Sequence, residues 1–137
     1  RIDTPASKPL VLNSDELPQE GWNDPVRGAI SWRTIFSADQ TATDSLTLGV
    51  AEVAPNARFN RHCHPLVEVY YILAGTGVVE IADQHYPISA GNAVFIPKNA
   101  IHAIYNTGQE PLRLIYAFAV NSFAEIHYSF PEGQAEP

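Results

Sequence analysis

The chain carries a single cysteine, Cys63, and no methionine in 137 residues. One cysteine excludes an internal disulfide framework and fits a reducing compartment, so a cytoplasmic location is expected. With no methionine present, Arg1 is not expected to be a translational start, and a removed targeting segment is compatible with that reading. Positive charge is scarce. Eight Lys and Arg stand against fifteen Asp and Glu, for a net charge of −7. The basic residues are scattered, which argues against nucleic acid or an anionic membrane as partner, since both need clustered Lys and Arg. No apolar run approaches the roughly 18 residues of a membrane span. The sequence holds no Gly-rich phosphate loop, no Gly-x-Ser-x-Gly and no Cys-x-x-Cys, which removes the usual signatures of nucleotide, serine-nucleophile and dithiol chemistry.

What is present is short β-type runs. The length fits one domain with one core. Residues 1–29 are rich in Pro, Asp, Asn, Ser and Gly without a sustained period, and read as an irregular arm that wraps the domain or a partner subunit. From Ile30 the runs ISWRTIFS, SLTLGVAEVA, VEVYYIL, GVVEIA, HYPIS, NAVFIP, IHAIYN and LRLIYAFAV are rich in Val, Ile, Tyr, Phe and Thr. Turn-forming pairs such as Pro55-Asn56, Gly91-Asn92 and Lys98-Asn99 separate them. This spacing predicts an all-β sandwich or barrel over residues 30–130. Residues 131–137 read as a flexible tail.

Within the stretch RHCHPLVEVYYILAG, His62 and His64 stand two apart, and Glu68 follows in an apolar run. Residues two apart share a strand face, so the two imidazoles point together and Cys63 points away. Arg58 shares that parity if the strand is regular that far back. After Pro65 the phase can reset, and Glu68, Tyr70 and Ile72 then share a face. Imidazole and carboxylate on adjacent strands suit a divalent Fe, Mn, Ni, Cu or Zn ion. His102 is the natural candidate for a fourth ligand.

Numbered along the chain, the first block is N-x5-H-x-H-x3-E-x6-G (Asn56, His62, His64, Glu68, Gly75). The second is G-x5-P-x-N-x2-H-x3-N (Gly91, Pro97, Asn99, His102, Asn106). The pair closely resembles the two signature motifs of the cupin superfamily. Asn56 and Asn99 stand where glycine is usual, and asparagine is the residue that best tolerates a positive φ in its place. The resemblance implies a double-stranded β-helix, or jelly-roll barrel, in which His62, His64, Glu68 and His102 converge on one divalent metal ion (Fe, Mn, Ni or Zn). Gly75 would end a strand, and Pro97 and Asn99 would shape the turn into the His102 strand. It also implies a homodimer, as small cupins commonly form. The stretch Glu68-x-Tyr70-x4-Gly75 further resembles the corresponding part of the cupin lyases that split dimethylsulfoniopropionate, although those tend to have Ala where Leu66 stands.

Four protein ligands leave open positions on an octahedral ion, which suits catalysis better than a closed structural site. The expected function is therefore a metal-dependent enzyme acting on a small oxygenated organic substrate by lyase, isomerase or cyclase chemistry. An Fe(II)-dependent dioxygenase and a non-catalytic binding or sensor module are the rivals. Tyr70, two residues after Glu68, is the candidate proton-transfer group beside it. Arg58 is a candidate for holding a substrate carboxylate, and Trp32 and Phe118 for lining a substrate pocket.

Overall fold

The computed structural model describes residues 8–134; residues 1–7 of the arm and 135–137 of the tail lie outside them. Among the described residues ten strands follow one another: β1 (Glu20–Asp24), β2 (Gly28–Phe36), β3 (Thr47–Val53), β4 (Arg58–His62), β5 (Glu68–Ala74), β6 (Thr76–Ile81), β7 (Gln84–Ser89), β8 (Ala93–Ile96), β9 (His102–Asn106) and β10 (Leu112–Phe118). Every pairing is antiparallel, in the order β7-β6-β9-β4-β2-β3-β10-β5-β8, with β1 added to β2. The curled sheet is a jelly-roll barrel. All the runs named from the sequence are strands.

Alternation explains the strands that face the core. In β3 and β10 each second residue is buried, and β5 buries Glu68, Tyr70 and Ile72 while exposing Val69, Tyr71 and Leu73. Register then stacks the inward residues in layers. Trp32, Ala51, Leu114 and Ile72 form one; Thr34, Gly49, Tyr116 and Tyr70 form the next; Thr47, Phe118, Glu68 and Ile96 form the third. Gly49 has a specific task in the second layer, because a Cβ there would overlap the Tyr116 phenol. Val53, Ile104 and Leu112 are wholly buried; truncating one such Ile or Leu to Ala typically costs about 2–5 kcal/mol.

Asn56 and Asn99 adopt φ of 67° and 66°, and Gly75 turns β5 into β6 at φ 88°. Asparagine thus fills two left-handed positions, as expected. Asn99 also donates its backbone N–H to the His64 carbonyl at 2.8 Å, tying the turn before β9 to a site residue.

Residues 1–29 are not irregular throughout. Glu20–Asp24 is strand β1, and β2 starts at Gly28. The segment EGWND has one large apolar side chain, so no alternation marks it. Its order comes from the ladder to β2, from Asp24 accepting the Val26 and Arg27 N–H groups, and from the Arg27 guanidinium 4.8 Å from the Trp22 ring. Trp22 folds back onto its own barrel, 5.0 Å from Trp32, whereas Val11 stays exposed. At the other end, Pro131–Gln134 is one helical turn, α1, where the sequence suggested only flexible tail.

Candidate metal centre and its cavity

Each histidine is oriented by the backbone nearest it. His62 closes β4 and His102 opens β9, and the two are partners across the ladder. His64 lies in the link to β5, which begins at Glu68. Nδ1 of His62 contacts the Asn60 carbonyl at 2.7 Å, that of His64 the Leu66 carbonyl at 3.0 Å, and that of His102 the Ala100 carbonyl at 2.8 Å. A carbonyl can only accept, so all three Nδ1 atoms carry the proton and all three Nε2 atoms offer a lone pair.

Those lone pairs converge. One ligand atom from each of His62, His64 and His102 lies within 4.8 Å of the others, and all three residues are buried. Oε1 of Glu68 is 3.1 Å from His64 Nε2 and 3.4 Å from His102 Nε2. Nε2 of His62 and of His102 are buried without a hydrogen-bond partner. A buried orphan of this kind costs about 1–3 kcal/mol, a cost that a cation between the two would relieve. Burial, reinforced by neighbouring His102, holds the His62 imidazole well below its ordinary pKa, hence neutral and able to ligate. Three backbone-oriented imidazoles and one carboxylate suit a divalent transition metal. His62, His64 and His102 are therefore gathered at one point, and Glu68 lies against two of them, His64 and His102.

Glu68 is the one member of this group that also lines a cavity, whose wall includes the aromatic rings of Trp22, Trp32, Phe59, Tyr70, Tyr116, Phe123 and Tyr128. Its free volume is about 30 Å³. Tyr70 is 2% exposed and lines the same cavity as Glu68, two residues before it on β5. Burial, with the Glu68 charge, pushes its phenol well above the ordinary range. Tyr128 is raised in the same way and for the same reasons.

The other candidates divide. Trp32 forms part of the cavity wall. Phe118 packs 5.2 Å from the His64 ring, behind the ligands and away from that wall. Arg58 is exposed, with its guanidinium 6.0 Å from the Tyr105 ring. The cause is an irregularity in the β4–β9 register between Phe59 and His62. It reverses the parity, so Phe59 turns inward, stacked 4.0 Å from His62, and Arg58 turns out. Strand counting also passed over Phe123, Tyr128 and Phe130. Their signal was the alternation Ile126, Tyr128, Phe130, too short to register as a strand.

Comparison with known proteins fits this geometry. The chain is 36% identical over 122 residues to dimethylsulfoniopropionate lyase DddW of Ruegeria pomeroyi, covering 89% of this chain and 80% of that one. Among solved structures, a predicted oxalate decarboxylase of Thermotoga maritima superposes with a TM-score of 0.72 at 24% identity, over 81% of this chain and 99% of that one. The polyketide cyclase RemF of Streptomyces resistomycificus gives 0.71 at 19%, over 81% and 79%. At such identities the two structures speak for the fold alone. No helix among the described residues is long and apolar enough to cross a membrane. The cupin domain family matches residues 49–118, which span both histidine blocks, and with that match the chain belongs to the cupin superfamily.

Proposed function

We propose that this protein is a metal-dependent lyase for a small oxygenated substrate, and specifically one that splits dimethylsulfoniopropionate. The observation that carries the reading is Tyr70, a buried phenol that lines an aromatic cavity together with Glu68. The 36% identical lyase relative supports it. In such an elimination a base takes the proton from the carbon beside the carboxylate. That electron pair forms the carbon–carbon double bond, the C–S bond breaks, and dimethyl sulfide leaves with its electrons, giving acrylate. Tyr70 is the proposed base. The indole and phenol faces of the wall suit a sulfonium cation.

No Lys or Arg lines the cavity among the described residues, so the chain itself offers a substrate carboxylate no positive charge. A divalent ion held by His62, His64, Glu68 and His102 would supply it as a Lewis acid and would oppose the effect of burial on Tyr70. We also propose a homodimer, formed through the exposed apolar face that includes Val69, Tyr71, Leu73 and Phe95.

The test is to load the protein in turn with Fe(II), Mn(II), Ni(II) and Zn(II), add dimethylsulfoniopropionate, and measure headspace dimethyl sulfide and dissolved acrylate. Equal amounts of the two support the lyase. No dimethyl sulfide with any metal rejects it. Oxygen consumption would then point to the dioxygenase, and saturable binding without turnover to the binding module.

A further inference from the structure

After β10 the chain returns across the aromatic cavity, and Phe123 and Tyr128 of this return segment form part of its wall. Phe123 stacks 5.7 Å from Trp32. Tyr128 sits 5.2 Å from His64 and 5.5 Å from His62, and Phe130 5.6 Å from His62. The segment therefore spans the opening from the tryptophan end to the histidine end. The space beneath it, about 30 Å³, is far below the roughly 300–1,000 Å³ of ordinary ligand pockets. Nothing larger than a few waters fits while the segment is down.

Its two ends are held unequally. At the start, the Val120 carbonyl accepts from Thr47 Oγ1 at 3.0 Å, and the Asn121 carbonyl from the Ala38 N–H at 2.7 Å. The Asn121 side chain accepts from the Ser45 N–H at 2.7 Å, and the Phe123 N–H donates to Ser37 Oγ at 2.8 Å. At the far end there is one isolated bridge, Cys63 with Ser129, whose two backbone bonds are each 2.9 Å. Beyond it, among the described residues, comes one ion pair, Arg61 with Glu132, at 2.6 Å and well exposed to solvent. Exposed pairs of this kind are weak. Between Ile126 and Ser129, no backbone hydrogen bond ties the segment to the barrel among the described residues.

We propose that residues 119–132 form a hinged cover: the Ser129–Glu132 end lifts to admit substrate, and on closing it sets Tyr128 against the histidine cluster as the wall facing the bound molecule. The inference rests on that cluster being the reactive centre and not on which reaction occurs there. Tyr128 is then a positioning residue delivered by closure.

Cys63 allows a direct test in the full chain. Partners in a hydrogen-bonded antiparallel pair have Cα atoms about 5.5 Å apart, within disulfide range. Ser129→Cys, oxidised or bridged by dibromobimane, fastens the cover. The first readout is the rate at which excess EDTA strips Zn(II) from the loaded protein. Linked protein is expected to release metal at least about tenfold more slowly than the same variant unlinked. The second readout needs no metal. Trp22 and Trp32 are the two tryptophans of the chain and both line the cavity, so acrylamide quenching is expected to fall on linking. Equal stripping rates and equal quenching in linked and unlinked protein, with the link verified by mass, overturn the cover. If the protein takes up no metal, the metal assignment fails and quenching alone decides the cover. If no link forms, Glu132→Gln replaces it. A rise in stripping of up to about fivefold supports the cover, and an unchanged or slower rate rejects it.

Discussion

Nδ1 of His102 donates to the carbonyl of Ala100, two residues earlier in the chain, at 2.8 Å. The same short-range device fixes His62 and His64, so the backbone itself presets three tautomers for ligation. His62→Ala and His102→Ala are each expected to abolish stoichiometric metal binding and leave a folded barrel. Elemental analysis beside circular dichroism checks both halves. Full metal content in either variant defeats the assignment, whereas loss of the β-sheet signal on chelation marks the ion as structural.

Tyr70 makes the sharpest test of chemistry. Tyr70→Phe keeps the ring in its layer between Tyr116 and Val94 and removes only the hydroxyl. Metal content and melting temperature are expected to hold. Turnover is expected to fall by roughly 10²–10⁴-fold, the usual worth of a positioned proton-transfer group. Near-normal turnover would leave Tyr70 as wall only and move the search for the base elsewhere.

How far the sequence foretold this depends on where alternation is unbroken. β3, β5 and β10 read cleanly because one face of each is core, and the spacing marked the three histidines that the structure gathers, His62, His64 and His102. β1 did not, because EGWND contains a single large apolar residue; β4 was read as a strand from its histidine spacing, without its irregularity. Arg58 was misplaced because a parity count cannot see an irregularity two residues away. The aromatic cover was hidden because its rings belong to a segment whose partners lie across the barrel and not along the chain.

Asn99 offers a check on backbone strain. At φ 66° it occupies a region where ordinary L-residues lose roughly 1–2 kcal/mol. Asn99→Gly is expected to leave the melting temperature nearly unchanged, and Asn99→Val to lower stability by about that amount or more. Because the Asn99 N–H binds the His64 carbonyl, weaker metal affinity is expected to accompany the Val variant. Equal stability of the Gly and Val variants in chemical denaturation would show that the turn carries no strain.

The outer face of β5 and β8 tests assembly. Phe95 is 63% exposed, and Tyr71 and Leu73 lie on the same apolar surface. Contiguous exposed apolar surface of this sort is usually an interface. Light scattering at micromolar concentration is expected to give the mass of a dimer, and Phe95→Lys to give a monomer with unchanged metal content. A monomeric wild-type protein rules the dimer out.

Outside the barrel, Glu80 lies nearly buried beneath Arg61 (2.8 Å), Tyr105 (2.9 Å) and His85 (3.6 Å). The hydrogen bond from Arg61 is the main reason its pKa is lowered; Tyr105, Arg61's charge and His85 add to this, while burial opposes it. A carboxylate whose pKa is lower in the folded than in the unfolded chain binds fewer protons when folded. Its stabilisation is therefore complete above the ordinary glutamate value of 4.5 and is lost as pH falls through the folded value. Glu80→Gln removes the charge at every pH and leaves Arg61 half-solvated. The expected cost is about 1–3 kcal/mol at pH 7, with little difference from wild type once the pH is well below the folded value of Glu80. Because Arg61 also holds Glu132, the cover is expected to loosen in this variant. Parallel stability curves for wild type and Glu80→Gln across that acid range would show that this group contributes nothing to acid sensitivity.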